Sequence, residues 1–263
     1  MLYVNDVLNY LWTLAPEEGK ESWDNVGLLV GRGQKAVTTI LTTLDITLPV
    51  IQEAQRLGAQ LIVSHHPVIW DTHKFVTDQV IQQERVMRLI ECGLAAICMH
   101  TNLDEAEDGV DDTLAEALGL TPERHLAEGK VGHISTLEAP MSMQEFLTMV
   151  QRKLHAGGLR YLDSGKPVCR IATGCGSCGE YLVDAVQAGC DTFLTGDVKY
   201  NVFLDAQDYG INLIDAGHFA TENPIVEKLA GKLRGAFPGT QVFVSEVMHQ
   251  PDQYFFGQNT RNS

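Results

Sequence analysis

Long apolar runs and clusters of basic residues are both missing from this sequence. No segment approaches the roughly 20 consecutive apolar residues that cross a bilayer, so we expect no membrane-spanning helix. Lysine and arginine number 19 against 34 acidic residues, the net charge is −15, and no basic run exceeds a pair. Proteins that contact nucleic-acid phosphates cluster their basic side chains on one face. We therefore expect no membrane partner and no general nucleic-acid binding.

A secretory signal and a disulfide framework are also lacking. The first residues show no basic segment followed by an apolar stretch and a small-residue cleavage site, which predicts a cytoplasmic protein. In that compartment the six cysteines are expected to be reduced thiols. The content of 44% hydrophobic and 20% charged residues is typical of a globular protein with a sizeable core, in one large or two small domains.

What is present is an alternation of β-branched runs with amphipathic stretches, which predicts an α/β fold. Strands are predicted at residues 36–44, 61–63, 94–99, 168–173, 192–194 and 211–214, and helices at residues 48–57, 77–91 and 181–187. Ser142 and Glu145 have the spacing of a capping box, so a helix should begin there. Residues 121–130 are polar without apolar periodicity, which indicates a connection.

The two halves of the chain resemble each other. A shift of 131 residues places Thr42 on Thr173, Ala54 on Ala185, Gly58 on Gly189, and residues 61–64 on residues 192–195. A shift of 118 residues places His100 and Asp104 on His218 and Glu222. We interpret this as a diverged duplication with halves at residues 1–125 and 126–263. The alternative is a chance likeness of two strand-helix-strand units.

Chemically active side chains follow the predicted strands. His65 and His66 follow residues 61–63, Asp104 follows residues 94–99, and His218 and Glu222 follow residues 211–214. Ligand sites in open α/β sheets gather beyond the carboxyl ends of the strands. Three imidazoles and two carboxylates suit zinc, iron or manganese better than magnesium or calcium alone. Any one of these histidines by itself is more often a hydrogen-bonded core residue.

The adjacency of His65 and His66 favours two metal ions over one. Neighbouring side chains of an extended segment point apart, so one ion rarely binds both. A carboxylate such as Glu222 or Asp104 can bridge two ions, which lie about 3.5–4 Å apart in dinuclear sites. Two divalent cations against two carboxylates leave an excess of positive charge, which lowers the pKa of a bridging water and favours hydroxide. The pattern thus predicts a dinuclear hydrolytic site.

Several motifs together resemble one known family. They are WDNVGLLVG at residues 23–31, SHHP at residues 64–67, HTNLD at residues 100–104, LTGD at residues 194–197 and DAGHFATE at residues 215–222. This order is similar to the signature of the NGG-interacting-factor-3-like family, whose members often carry the name GTP cyclohydrolase 1 type 2 homolog. The similarity covers nearly the whole chain. Residues 129–165 leave no room for the middle domain of longer relatives, so the chain resembles the compact form.

The resemblance implies a two-lobed α/β subunit of intertwined similar halves, a cleft between them holding two divalent metals, and a hexameric ring. Carried over by position, the ligands would be His65, His66, Asp104, His218 and Glu222, with Glu222 as the bridge.

Other residues near these motifs are weaker candidates. We predict that His100 supports a ligand or carries protons. Asp197 could orient a histidine or a water, handle protons as a catalytic residue like His100, or simply form a turn. Cys175 and Cys178 have the spacing of zinc ribbons and redox pairs, but no second pair accompanies them. They replace the glycine and alanine expected in the family's loop, which favours a role as small residues in a tight turn.

Our leading hypothesis is a metal-dependent hydrolase in which activated water attacks carbon or phosphorus of a small substrate. Nucleotide-like and purine-derived molecules are the substrate candidates. The sequence has no G-x-x-x-x-G-K-[ST] phosphate loop, so GTP itself is not indicated. The alternative is a metal-binding adaptor or metal-delivery protein without turnover, and a third hypothesis is a scaffold whose site is inactive.

Overall fold

A computed structural model of the chain describes residues 1–71, 74–127 and 131–255. Its strands are β1 (Leu2–Tyr3), β2 (Gly27–Val30), β3 (Ala36–Val37), β4 (Thr39–Thr43), β5 (Leu61–Ser64), β6 (Ala95–Cys98), β7 (Pro122–His125), β8 (His133–Met141), β9 (Arg160–Leu162), β10 (Val168–Thr173), β11 (Thr192–Thr195), β12 (Asn212–Asp215) and β13 (Gln241–Val244). Its helices are α1 (Val4–Leu14), α2 (Leu48–Arg56), α3 (Ile81–Glu91), α4 (Thr101–Asp104), α5 (Val110–Leu118), α6 (Met143–Leu154), α7 (Leu182–Gln187), α8 (Tyr200–Tyr209), α9 (His218–Glu222) and α10 (Pro224–Ala236). The α/β class predicted from the sequence is confirmed.

The strands form two main sheets, apart from a small pair of β1 and β3. The first sheet has the order β13-β4-β5-β6-β2 and the second the order β7-β8-β10-β11-β12-β9. In the first, β13, β4, β5 and β6 are parallel and β2 is antiparallel to β6. In the second, β10, β11 and β12 are parallel, and the remaining strands are antiparallel to their neighbours.

The two sheets confirm the predicted likeness of the halves. Three parallel strands followed by one antiparallel strand occur as β4-β5-β6-β2 and again as β10-β11-β12-β9. Strands β5 and β11 are offset by the 131 residues that the sequence comparison gave. The halves are intertwined, because β13 returns from the end of the chain to pair with β4. The boundary between residues 125 and 126 stays a prediction.

Local sequence accounts for several helix starts. The Thr47 hydroxyl accepts a hydrogen bond from the Val50 backbone, and proline follows early in α2. The capping box predicted at α6 is present, with Ser142 Oγ accepting from Glu145 N at 3.3 Å and the Glu145 carboxylate accepting from Ser142 N at 2.9 Å. Both helices therefore begin where backbone donors find side-chain acceptors.

Three predicted boundaries differ from the structure. The strand predicted at residues 36–44 is divided at Thr38, because β3 pairs with β1 whereas β4 joins the first sheet. Helix α3 begins at Ile81 rather than at residue 77. The connection predicted at residues 121–130 contains β7, whose residues are all exposed at the edge of the second sheet. An edge strand that buries no side chain has no apolar alternation by which to predict it.

The largest buried cluster draws on both sheets. Val63 of β5, Leu194 of β11 and Ile214 of β12 belong to it together with residues of α1, α5, α6 and α10. Burial of apolar side chains from both halves in one core holds the two sheets together. Within the described part of the chain, no helix has both the length and the apolar character that crossing a membrane requires. The six cysteines are all free, as expected.

Candidate metal centre

The predicted ligands all follow parallel strands. His65 and His66 come directly after β5, Asp104 is the last residue of α4 beyond β6, and His218 and Glu222 begin and end α9 beyond β12. Whether His218 and Glu222 lie on a helix or before one was open from the sequence. They lie on α9, where a separation of four residues places both side chains on one face.

Glu222 lies between two imidazoles. Its Oε2 is 3.0 Å from His66 Nε2, and its Oε1 is 3.1 Å from His218 Nε2. The Glu222 side chain is buried, whereas that of His218 is 34% exposed. One carboxylate therefore faces a residue of each half of the chain, with one oxygen for each imidazole.

His65 faces a second carboxylate. Its Nε2 lies 3.4 Å from Asp104 Oδ1 and 3.8 Å from Glu222 Oε2. The side chain of His65 is fully buried. The Nε2 atoms of the adjacent histidines thus have different nearest carboxylates, Asp104 for His65 and Glu222 for His66.

The other ring nitrogen of each histidine is held by an oxygen at 2.9 Å. The Nδ1 partners are Met99 O for His65, Asp45 Oδ1 for His66 and Asp197 Oδ2 for His218. An oxygen at Nδ1 holds a proton there, so that Nε2 is the nitrogen available to a metal ion when the ring is neutral. This arrangement is typical of histidines that bind metal ions.

Buried polar atoms that lack a hydrogen-bond partner indicate whether these residues suit a metal ion. His65 Nε2 is buried and has no hydrogen-bond partner among the described residues. Buried polar atoms without partners are rare and costly. Two groups of side chains have ligand atoms close enough together to hold an ion. The first group is His65, His66 and His100, and the second is His66, His218 and Glu222. The imidazole and carboxylate donors, together with the unpartnered His65 Nε2, fit divalent first-row metals.

The protonation of the centre reflects its burial and its close ion pairs. Burial lowers the pKa of His65 to about 3. Burial also tends to lower the pKa of His66, but the hydrogen bonds to Asp45 and Glu222 raise it to about 10. Burial would raise the pKa of Glu222, yet the hydrogen bonds from His218 and His66 hold it well below its usual range. Burial and the nearby Glu222 carboxylate raise the pKa of Asp104.

A glycine packs directly against the central carboxylate. Gly176 has a φ of +57°, and a Cβ built on it would lie 2.1 Å from Glu222 Oε1. Its backbone N–H donates to Thr221 Oγ1 at 3.0 Å. The turn at Gly176 thus forms one wall of the centre, and a side chain at this position would displace the Glu222 carboxylate.

The two cysteines beside this glycine have separate contacts. Cys175 Sγ lies 3.9 Å from Asp104 Oδ1, and Cys178 Sγ donates to the Cys175 carbonyl at 3.1 Å. Burial raises the pKa of both thiols. These contacts are those of protonated thiols in a tight turn.

The two residues predicted to handle protons lie next to the ligands. Asp197 contacts His218, as described. The His100 ring packs edge-on against His65 with ring centres 5.1 Å apart, and its Nδ1 lies 2.9 Å from Asp24 Oδ1. Asp24 also accepts hydrogen bonds from the Thr101 backbone and hydroxyl.

Sequence reasoning missed three residues around the centre: Asp24, Asp45 and Gly176. Asp45 follows β4, and its position beyond a strand end could have identified it, as it did the histidines. Asp24 lies in the WDNVGLLVG motif, and its place in that motif was the signal that could have identified it. Nothing in the sequence indicated that Gly176 touches Glu222.

A cavity of about 820 Å³ opens beside the centre. His66 and His218 reach its wall, as do Asp45 and Asp197. Cavities of roughly 300–1,000 Å³ accommodate small molecules. The candidate metal centre is thus accessible to a ligand of that size.

Comparisons with known proteins identify relatives over nearly the whole chain. Residues 2–251 match the profile of the family described as Duf34/NIF3 (NGG1p interacting factor 3). A Clostridium perfringens protein named GTP cyclohydrolase 1 type 2 homolog is 33% identical over 238 residues, covering 88% of this chain and 91% of the relative. A Helicobacter pylori protein named GTP cyclohydrolase 1 type 2 is 30% identical over 262 residues, covering 100% of this chain and 98% of the relative.

Solved structures have the same fold. The crystal structure of a Staphylococcus aureus hypothetical protein gives a TM-score of 0.89 at 30% identity, with 96% of this chain and 99% of that chain covered. A Bacillus cereus protein described as related to NIF3 gives a TM-score of 0.90 at 21% identity, with 97% and 99% covered, which supports the fold alone. The chain belongs to the Duf34/NIF3 (NGG1p interacting factor 3) family.

Proposed function

We propose that this protein is a dinuclear metal-dependent hydrolase that acts on a small substrate. His65, His66, Asp104, His218 and Glu222 would hold two divalent cations, with zinc, iron and manganese as the candidates. The observation that carries the proposal is the buried His65 Nε2, which has no hydrogen-bond partner among the described residues and lies beside two carboxylates, Asp104 and Glu222. When bound, the cations would supply activation of water and polarisation of the substrate.

The chain's own residues have distinct parts in this proposal. Glu222 directs one oxygen toward His66 and the other toward His218, which suits a bridging ligand. Asp45 and Asp197 orient His66 and His218 through their Nδ1 atoms. Asp197 is thereby a positioning residue rather than a proton carrier.

We assign the movement of protons to His100. Its Nδ1 is held by Asp24, and the ring lies beside His65 and His66 with ring centres 5.1 and 5.6 Å away. An imidazole fixed at one nitrogen can exchange a proton at the other, as general acid–base catalysis requires.

The substrate proposed is a small molecule, with nucleotide-like and purine-derived compounds as the first candidates. The cavity of about 820 Å³ beside His66 and His218 has a suitable volume. The relative from Helicobacter pylori carries the name GTP cyclohydrolase 1 type 2, which directs attention to purines. We also propose that the protein assembles as a homohexameric ring, which light scattering of the purified protein would test. The boundary between the two halves of the chain is proposed at residues 125 and 126.

Metal content and turnover measured on the same samples test the proposal. We expect about two ions per chain after loading with zinc, iron or manganese, and hydrolysis of at least one member of a panel of nucleotides, pterin precursors and phosphoesters. The double variant His66→Ala/Glu222→Ala should lose both. His125→Ala is the matched control, because His125 is exposed on β7.

Two outcomes would contradict the proposal in different ways. Retention of both ions by the double variant would refute the ligand set. Two ions per chain without turnover of any panel member would favour the metal-binding adaptor or delivery protein.

A further inference from the structure

The cavity beside the metal centre is lined by an arginine for which no described residue provides a hydrogen-bond or ion-pair partner. Arg85 lies on α3, is half-buried and lines the cavity together with His66 and His218. Its Nε is buried and makes no hydrogen bond, and no carboxylate of a described residue lies within ion-pair distance of it. Burial of a charged group without a partner is unfavourable, so such a group is a signal of ligand binding.

The neighbouring arginine on the same helix behaves differently. Arg88 Nε donates to Glu84 Oε1 at 2.8 Å, and Arg88 Nη1 donates to Glu91 Oε2 at 3.0 Å. Acidic side chains that could reach an arginine are therefore present on α3. They pair with the exposed Arg88, and no acidic side chain in the described ranges pairs with Arg85.

The other charges of the cavity wall are largely engaged. Arg160 pairs with Asp215 and also donates to the Val198 carbonyl. The Asp45 and Asp197 carboxylates face His66 and His218. Two further wall residues, His249 and Asp252, lie exposed on the segment before Tyr254. Arg85 is thus a wall cation whose charge no described side chain balances.

We propose that Arg85 binds an anionic group of the substrate, either a phosphate or a carboxylate. This inference rests on the proposed function, since it concerns the same cavity. A guanidinium offers parallel N–H donors that match both kinds of anion, and partial burial strengthens such hydrogen bonds. The apolar wall formed by Leu44, Phe219 and Met248 suits the uncharged part of the same molecule. A molecule bound at Arg85 shares its cavity with His66 and His218.

Isothermal titration calorimetry with two pairs of probes tests the proposal. Guanosine 5′-monophosphate against guanosine tests a phosphate, and orotate against uracil tests a carboxylate. We expect the wild-type protein to prefer the charged member of at least one pair. Arg85→Gln should weaken binding of that member by about 10- to 100-fold, the loss typical of a charge-assisted hydrogen bond, and leave the neutral member unchanged.

The matched control is Arg88→Gln, which removes the same charge from the same helix outside the cavity. It should bind all probes as the wild type does. Arg85→Lys keeps the charge without the paired donors and should give an intermediate loss, so a misfolded Arg85→Gln would not end the test. Equal binding by wild type and Arg85→Gln, an equal loss in Arg88→Gln, or no preference for either anion would overturn the inference.

Zinc content measured on the same samples separates this inference from the proposed function. Zinc should remain at the wild-type level in both arginine variants, because neither residue is a proposed ligand. Binding of an anion that depends on Arg85 in a protein that takes up no metal would refute the hydrolase and keep the anion site. Normal zinc uptake with anion binding that does not depend on Arg85 would refute the anion site and leave the hydrolase proposal standing.

Discussion

Replacement of Gly176 by alanine should disable the metal centre without unfolding the protein. The new Cβ would lie 2.1 Å from Glu222 Oε1 and 3.2 Å from His218 Nε2. Ordinary van der Waals contact begins at 3.4 Å, so the Glu222 carboxylate must move by about 1 Å. The end of a glutamate is usually flexible, but this one is buried between His66 and His218. Its displacement therefore disturbs both contacts.

The magnitude separates into a backbone part and a ligand part. Alanine at a φ of +57° costs about 1–2 kcal/mol of stability whatever its surroundings. Binding sites require their ligands within roughly 0.5 Å of the productive position, so a shift of about 1 Å is damaging. Changes of this kind around metal ligands reduce affinity by about 10- to 100-fold. We expect a loss of zinc affinity in that range.

Gly210→Ala is the matched control. Gly210 has a φ of +63° at the end of α8, and nothing lies within 4 Å of its built Cβ. It therefore incurs the same backbone cost without touching the centre. Zinc affinity measured with a competing chelator, together with thermal unfolding of both metal-free variants, distinguishes the two effects.

Two results would refute this reasoning. If Gly176→Ala binds zinc as tightly as the wild type, Glu222 is not a required ligand in the position described. If Gly210→Ala loses zinc to the same degree, the loss reflects general destabilisation rather than the contact with Glu222.

Three further predictions concern stability. Phe146→Ala removes a fully buried ring and should cost about 3–5 kcal/mol in urea unfolding. Asp24→Ala leaves the donors of His100 and Thr101 without their acceptor and should cost about 1–3 kcal/mol, with zinc content unchanged. Burial would raise the pKa of Asp108, but hydrogen bonds from two lysines of α10 lower it. Its contribution is thus present above the unfolded pKa of about 4 and lost as pH falls through the folded value. Since its side chain is 47% exposed, Asp108→Asn should cost less than about 1 kcal/mol at pH 7 and progressively less as the pH falls below about 4, by thermal unfolding.

Features that depend on neighbouring residues could be predicted from the amino-acid sequence. Apolar periodicity located β5, β11 and α2, and the spacing of Ser142 and Glu145 located the start of α6. The 131-residue shift predicted the likeness of β5 and β11. The histidines and carboxylates were identified as candidates because they lie just beyond predicted strands. Each of these follows from local backbone preference or from a pattern along one element.

Contacts between residues far apart in the sequence became known from the folded structure. The pairing of β13 with β4 joins the end of the chain to the first sheet, and β7 is a strand only because β8 lies beside it. The hydrogen bond between His66 Nδ1 and Asp45 and the contact of Gly176 with Glu222 likewise depend on how the elements pack. Contacts between residues far apart in sequence arise from burial shared by many side chains, which no short segment encodes.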